Sequence, residues 1–245
     1  MSVNIQVFSP HFDDASLSCG EHILAWAKKG MKVEVITVFT RFGAEHLSKD
    51  SIEFMKKGHV ESVTEFEKVR GQEDRESMGK LGVASYKWLN LVDAGFREQD
   101  STPTYQTHQE LFAGTIKDSA SWQSQLELRL QQEVKTEAVV VCPLGVGQHA
   151  DHLLVRRILE KYVPTERLLY YVDIPYALQL SNWRWPQFWQ VVTSPTSLSW
   201  SSPDKIEAVT VYNSQVPLLF QNGIWQYPEC VAGRAFKNNV ELRLS

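Results

Sequence analysis

The sequence predicts an α/β protein built on a mostly parallel sheet, and three observations carry that prediction. Short β-branched and aromatic runs alternate along the chain with segments of helical apolar spacing. The first strand, helix and strand fit into about 40 residues, the size of a βαβ unit. A later run, "AVVVCPL" at 138–144, is apolar throughout, as a strand covered on both faces of a parallel sheet must be.

The elements follow in order. "NIQVFS" (4–9) is the first strand and "KVEVITVFT" (32–40) the second. Between them, "ASLSCGEHILAWAKKG" sets Leu17, Ile23, Leu24 and Trp26 at helical spacing and stops at Gly30. The right-handed crossover rule makes the two strands parallel neighbours in one sheet. A charged region runs from Lys49 to Lys80, and "SVTEFEKVRGQEDRESMGKLG" within it reads as one long helix ending near Gly82. "SYKWLNL" is a third strand leading to Asp93, and Arg97 to Tyr105 is polar and turn-like. "HQELFAGTIKDSASWQSQLELRLQQEV" (108–134) reads as helical. After "AVVVCPL" come a glycine-rich turn, "GVGQHADH", the helix "LLVRRILEKYV" and a fifth strand, "RLLYYVDIP". From Tyr176 to Pro203 the chain is rich in Trp, Ser and Pro, and reads as an irregular insertion with a short strand at "FWQVVTS". "SPDKIEAVTVYNSQVPLLF" resumes helical character; the tail from Gly223 to Ser245 reads as irregular, closing on a strand at "NVELRL". With no repeat and no linker, residues 1–245 are expected to form a single domain.

Composition narrows the function classes. Of 245 residues, 43% are hydrophobic and 22% charged, the balance of an ordinary globular protein, and the net charge of −4 gives no reason to expect nucleic acid or an anionic membrane as partner. No apolar run approaches the roughly 20 residues that span a bilayer. "MSVNIQVF" enters a strand directly, without the pattern of a cleavable leader. Three cysteines, Cys19, Cys142 and Cys230, are odd in number and form no C-x-x-C pair. That argues against a disulfide framework and for a reducing compartment, most simply the cytoplasm.

The chemistry gathers where two strands end. Ligands of parallel α/β sheets bind beyond the carboxyl ends of the strands. The first strand leads into His11, Asp13 and Asp14, and "AVVVCPL" leads into His149, Asp151 and His152. Imidazole and carboxylate donors suit a zinc-type divalent ion, and two histidines with one carboxylate complete a catalytic site that keeps one position open. Either cluster alone reads as well as a helix cap or a solvated turn. Two of them, each just past a parallel strand, are expected to meet. A nucleotide-binding Rossmann domain is disfavoured, because the first strand-to-helix turn carries H-x-D-D in place of G-x-G-x-x-G.

These residues resemble the PIG-L/LmbE-like zinc deacetylases, which remove an acyl group from N-acetylglucosamine-type amino sugars. The family's P-H-P-D-D stands here as "SPHFDD", and its H-P-D-H as "HADH". Arg70, Glu73 and "LGV" at 81–83 match its middle pattern, Asp93 matches the aspartate after its next strand, and "KIEAVTVYNSQ" matches its C-terminal one. The resemblance spans about residues 3–220. Phe12 replaces the usual proline, Ala15 an acidic residue, Ser18 a glycine and Ala150 a proline; none of these removes a ligand.

The resemblance implies a Rossmann-like three-layer sandwich and a metal-dependent N-deacetylase acting on an N-acyl amino sugar or its conjugate. By it, His11, Asp14 and His152 bind the metal, Zn2+ foremost, with Fe2+ or another divalent ion open. Asp13 acts as general base, and His149 stabilises the oxyanion and protonates the leaving amine. Asp151 orients His149 and favours its charged form, and Arg70 and Asp93 bind sugar hydroxyls. Bland readings stay open beside these: Asp13 and Asp151 as helix caps, Arg70 as a partner of Glu67, Glu73 or Asp74, and Asp93 as a turn residue. Cys19 reads as an inert buried thiol, and the tryptophans at 183, 185, 189 and 200 as core or as lining for a sugar or acyl pocket. His22, His46, His59 and His108 read as surface residues. Tyr212 and Gln215 fall in a matched pattern without an evident role. Two alternatives stand: the same chemistry on a secondary-metabolite amide, and a non-catalytic metal- or sugar-binding module. A homo-oligomer also stays open.

Overall fold

Five β-branched and apolar runs become parallel strands of one sheet: β1 (Asn4–Ser9), β2 (Lys32–Arg41), β3 (Ser85–Val92), β6 (Val139–Pro143) and β7 (Leu168–Tyr171). A small antiparallel hairpin, β4 (Glu98–Gln99) and β5 (Thr102–Pro103), lies outside it. Two further strands, β8 (Ser194–Trp200) and β9 (Pro228–Gly233), complete seven in the order β3-β2-β1-β6-β7-β9-β8, with β9 antiparallel to both of its neighbours. These coordinates are a computed structural model, and it describes residues 4–43, 45–179, 194–220 and 227–233.

Helices cover both faces, as an α/β sheet buried on each side requires. On one face lie α1 (Asp14–Lys28), α3 (Val63–Leu81) and α8 (Pro203–Thr210), in mutual contact; on the other, α5 (Ala120–Glu133) packs on α6 (Ala150–Tyr162). The strands feed the two layers alternately. Val7, Val141 and Leu169 join Ala15, Ile23 and Met78 in one core, while Phe8, Val140 and Leu168 join Leu130, Val155 and Leu159 in the other. That is the period-2 alternation of a pleated strand, and it yields the three-layer sandwich expected from sequence.

Helix ends follow local chemistry. Ser62 accepts from the Glu65 N–H at the start of α3, and Gly82 closes that helix in the left-handed region at φ 67°. The charged region ahead of it holds a separate helix, α2 (Lys49–Lys57), capped by Ser48. The helix expected over 108–134 is two: α4 (His108–Leu111) and α5, separated by Gly114 at φ 75° and a new cap at Ser119. The C-terminal helical stretch likewise splits into α8 and a single turn, α9 (Val216–Leu219), after Tyr176–Gln179 forms α7. The expected strand at 188–194 lies outside the described residues apart from Ser194, where β8 begins, and the expected strand at 239–244 lies wholly outside them. The tail's described strand is instead β9, which the sequence reading missed. Trp200, expected in the core or a pocket, is 64% exposed on the edge strand. Trp183, Trp185 and Trp189 lie outside the described residues. Among the described residues no helix is long and apolar enough to cross a membrane.

Strand order positions the site. The chain walks outward from β1 to β2 to β3, then returns to β6 on the other side of β1. The reversal between β1 and β6 is the topological switch point, where the loops leaving neighbouring strands part and open a crevice.

Candidate active site and metal centre

The two sequence clusters leave the adjacent ends of β1 and β6 and meet. His11, Asp14 and His152 offer one ligand atom each within 4.8 Å of one another, and His11, His149 and Asp151 form a second such group. All five are buried. Asp14 Oδ2 lies 3.1 Å from His11 Nδ1 and 3.3 Å from His152 Nε2, and also accepts the His11 backbone N–H at 2.8 Å. Ligands of a tetrahedral zinc with bonds of about 2.1 Å stand about 3.4 Å apart, so this spacing fits a cation among the three. His152 Nε2 is buried without a hydrogen-bond partner, and a buried polar nitrogen aimed at two other donors is what a cation would satisfy.

The outer contacts distinguish the two groups. His152 Nδ1 donates to Asp173 Oδ1 at 2.6 Å, and Asp173 Oδ2 accepts from the Gly145 and Val146 N–H groups at 2.7 and 2.8 Å. With its proton on Nδ1, the ring presents the Nε2 lone pair inward, the carboxylate–histidine arrangement of metal sites. Asp151 is already engaged: its carboxylate takes Arg97 Nη2, the Ala94 N–H at 2.9 Å and His11 Nε2 at 3.1 Å. His149 Nδ1 accepts the Asp151 backbone N–H at 3.1 Å. The first group is therefore the one that fits a metal.

The carboxylates and imidazoles set each other's charge. Burial works against every ion here, yet His11 is held well above the usual imidazole range by Asp93, Asp14 and Asp151. Burial likewise opposes the charge on His152, but without a cation Asp14 and Asp173 push its pKa up to about 9, and a metal bound at Nε2 would displace that second proton. Despite burial, Asp14 is held well below the usual carboxylate range by His152 and His11. Asp151 is held low against its burial by Arg97, then His11. His149 goes the other way: burial, with the neighbouring His11 and His152 charges, holds it well below the usual value. Asp151 favours the charged form of His149 as expected, but burial and the His11 and His152 charges outweigh it. The Asp151 carboxylate is turned toward Arg97 and His11, and its link to His149 runs from its backbone N–H.

Asp13 sits at the mouth of α1 without capping it; its side chain makes no N-cap hydrogen bond. Its Oδ1 pairs instead with Arg70 Nη2 at 3.1 Å. Arg70, from α3, is 3% exposed, and its guanidinium lies 5.6–5.8 Å from the ring centres of Phe12, Phe42 and Phe66. Phe12, where the family pattern has proline, is one wall of that cage. Asp93 is the turn residue read from sequence, accepting the Gly95 N–H at 2.8 Å, and its Oδ2 also stands 3.4 Å from His11 Nε2.

A cavity of about 180 Å³ opens over these groups. Asp13, Asp93, Arg70 and His149 line it together with Phe54, Phe96, Phe112, Tyr176 and Leu219. The apolar walls come from α2, the turn after β3, the α4 region and the chain beyond β7; of these, α2 and the α4 region carry no site signal in the sequence. His108, read as a surface residue, also lines it and stacks on Phe112 with ring centres 4.3 Å apart. The matched C-terminal pattern gains roles. Tyr212 OH lies 2.7 Å from the Phe12 carbonyl and 3.0 Å from Asp74 Oδ1, so it braces the loop that carries Asp13. Glu73 holds the Ser214 N–H and hydroxyl at 2.8 and 2.6 Å, which sets Gln215 in the cavity wall. His22, read as a surface residue, is buried, with Nδ1 2.6 Å from Glu229 Oε1.

Residues 6–163 match the family model described as GlcNAc-PI de-N-acetylase, PIG-L. The chain belongs to that family, and its class is N-deacetylase. A 2'-N-acetylparomamine deacetylase from Niallia circulans is 27% identical over 228 residues, covering 86% of this chain and 80% of its own. One of the same name from Streptomyces fradiae is 31% identical over 175 residues, 70% of this chain and 57% of its own. Among solved structures, a deacetylase–bog complex from teicoplanin biosynthesis superposes with a TM-score of 0.70 at 21% identity, covering 96% of this chain and all of that one. The zinc-inhibited form of teicoplanin deacetylase Orf2 gives 0.67 at 22% identity over the same shares. At those identities the solved structures speak for the fold.

Proposed function

We propose that the protein hydrolyses the N-acyl group, acetyl foremost, of an amino sugar or amino-sugar conjugate, with one divalent cation, zinc foremost, held by His11, Asp14 and His152. The observation that carries this reading is the orphaned, inward-facing Nε2 of His152 beside Asp14 Oδ2. The names of the curated relatives, deacetylases of 2'-N-acetylparomamine, support the substrate class.

A divalent cation bound there polarises the amide carbonyl and lowers the pKa of a water molecule. Asp13, held by Arg70 rather than by the helix, takes the proton of the attacking water. His149, its Nδ1 lone pair committed to the Asp151 N–H, carries its ring proton on Nε2. In that neutral form it donates a hydrogen bond to the developing oxyanion. A neutral imidazole is a poor source of a proton for the leaving amine, so Asp13 returns the one it took: the C–N bond breaks, the nitrogen gains that proton, and the acyl group leaves as the carboxylic acid, which then gives its remaining proton to solvent. General acid–base help of this kind is worth about 10²–10⁴-fold. Arg70 and Asp93 reach sugar hydroxyls at the cavity floor. The apolar wall of Phe54, Phe96 and Phe112 favours a second reading of the substrate, a secondary-metabolite amide with a bulky apolar portion.

Residues 1–245 act as one domain in this reading. The three cysteines, all free and buried, suit the reducing cytoplasm. A panel of N-acetylated amino sugars and other amides, assayed for free amine before and after chelation, tests the proposal. Amine release from amino sugars, lost on chelation and restored by Zn2+, is expected. Release that survives chelation, or that comes only from amides without a sugar, overturns it.

A further inference from the structure

Arg97 takes no part in the reaction derived above, yet it is among the most constrained side chains in the molecule. It follows a single 3-10 turn, Ala94–Phe96, and is 5% exposed. Its Nη2 binds Asp151 Oδ1, and its Nε lies 3.1 Å from Asp118 Oδ1. The guanidinium stands 4.2 Å from the Trp122 ring centre and 5.1 Å from that of Phe39. Asp118 is itself held by the Tyr105 hydroxyl at 2.8 Å. One cation and two carboxylates have been taken out of water here, and a buried ion trio of this kind is no more stabilising than packed apolar side chains of the same volume. Stability alone does not explain it.

Its far end does. The other Asp151 oxygen meets His11 Nε2 at 3.1 Å, while His11 Nδ1 faces Asp14. A neutral imidazole has one N–H, and a hydrogen bond at one nitrogen decides which nitrogen offers its lone pair. We propose that Arg97 is a positioning residue for the metal centre: by pinning the Asp151 carboxylate it keeps the His11 proton on Nε2 and turns the Nδ1 lone pair toward Asp14 and His152. The inference rests on the reading of His11, Asp14 and His152 as the ligand set. Arginine is needed because two carboxylates and an aromatic face must be met at once by one planar fork; a lysine ammonium offers neither the fork nor the stacking plane.

The test is metal binding without turnover. Metal-stripped wild type, Arg97→Lys and Asp118→Asn are titrated with Zn2+ against a chromophoric chelator, and the Co2+-substituted proteins are compared by their visible spectra. Arg97→Lys is expected to lose roughly 10–100-fold in Zn2+ affinity, the usual effect of disturbing a ligand's outer partner, with an altered Co2+ spectrum. Asp118→Asn, which leaves Arg97 and Asp151 in place but frees the guanidinium at one end, is expected to shift both in the same direction, and it decides the matter if Arg97→Lys does not fold. Wild-type affinity and an unchanged spectrum in the folded variants, even with a lowered melting temperature, overturn the role of Arg97 alone. A wild type that binds no equivalent of Zn2+ overturns the ligand set, and this inference with it.

Discussion

Replacing Asp173 by asparagine should weaken metal binding through a change of tautomer. In the wild type one Asp173 oxygen receives the His152 Nδ1–H at 2.6 Å and the other receives the N–H groups of Gly145 and Val146. Asparagine keeps a single acceptor oxygen. The two backbone donors claim it, since leaving them unmet in a buried turn costs about 1–3 kcal/mol each. The amide NH2 then points at His152 Nδ1, which must accept. The ring proton moves to Nε2, the atom that faces Asp14 at 3.3 Å, and its lone pair is lost to a cation. The loss expected for such an outer partner is roughly 10–100-fold in affinity, or about 1.4–2.7 kcal/mol. A Zn2+ competition titration on metal-stripped protein measures it, with circular dichroism as the control for folding. A folded Asp173→Asn protein that binds Zn2+ as tightly as wild type would refute the tautomer argument.

Three other outcomes are expected. Asp13→Asn should retain one equivalent of metal while steady-state turnover falls by about 10²–10⁴-fold; undiminished turnover would remove Asp13 from the chemistry. Lys205, fully buried on Glu229 and on the Leu17 carbonyl at 2.8 Å, fixes α8 to α1 and β9; Lys205→Met should cost about 3–5 kcal/mol in urea unfolding, because Glu229 is left a buried charge, and a loss under 1 kcal/mol would contradict this. Burial raises the Asp74 carboxyl to about 7; because the folded state then holds a proton that the unfolded chain has released, its contribution to stability is complete below about pH 4 and is lost as pH rises through about 7. Unfolding free energies across that window should fall less steeply in Asp74→Asn than in wild type, and identical slopes would show that Asp74 does not carry the dependence.

The first half of the sheet and the heart of the site were legible because their signals are local. Val7, Val35 and Val141 lie in runs whose β-branched character needs no partner to be recognised, and His11 with Asp14, and His149 with His152, each occupy a single turn. Parallel topology then supplies the long-range step, since β1 pairs with β6 and their ends must adjoin. What stayed illegible depends on partners far away in the chain. His22 gives no sign of burial until Glu229, 207 residues on, reaches it. Asp173 is one polar residue after an apolar strand, and nothing local says that it will hold a histidine 21 residues earlier. Arg97 lies in a polar stretch that reads as solvated and becomes buried only because Trp122 and Asp118 close over it. The strands "SPTSLSW" and "PECVAG" contain prolines and few β-branched residues, and exist through antiparallel pairing with each other and with β7. Gly114 and Ser119 broke a helix that apolar spacing alone had joined.

The central claim is that three side chains from two turns, His11 and Asp14 after β1 and His152 after β6, hold a single divalent cation. Elemental analysis of purified wild type and folded His152→Ala tests it most directly. The account predicts one equivalent of divalent metal in the wild type and none retained by the variant; a full equivalent in His152→Ala would contradict it.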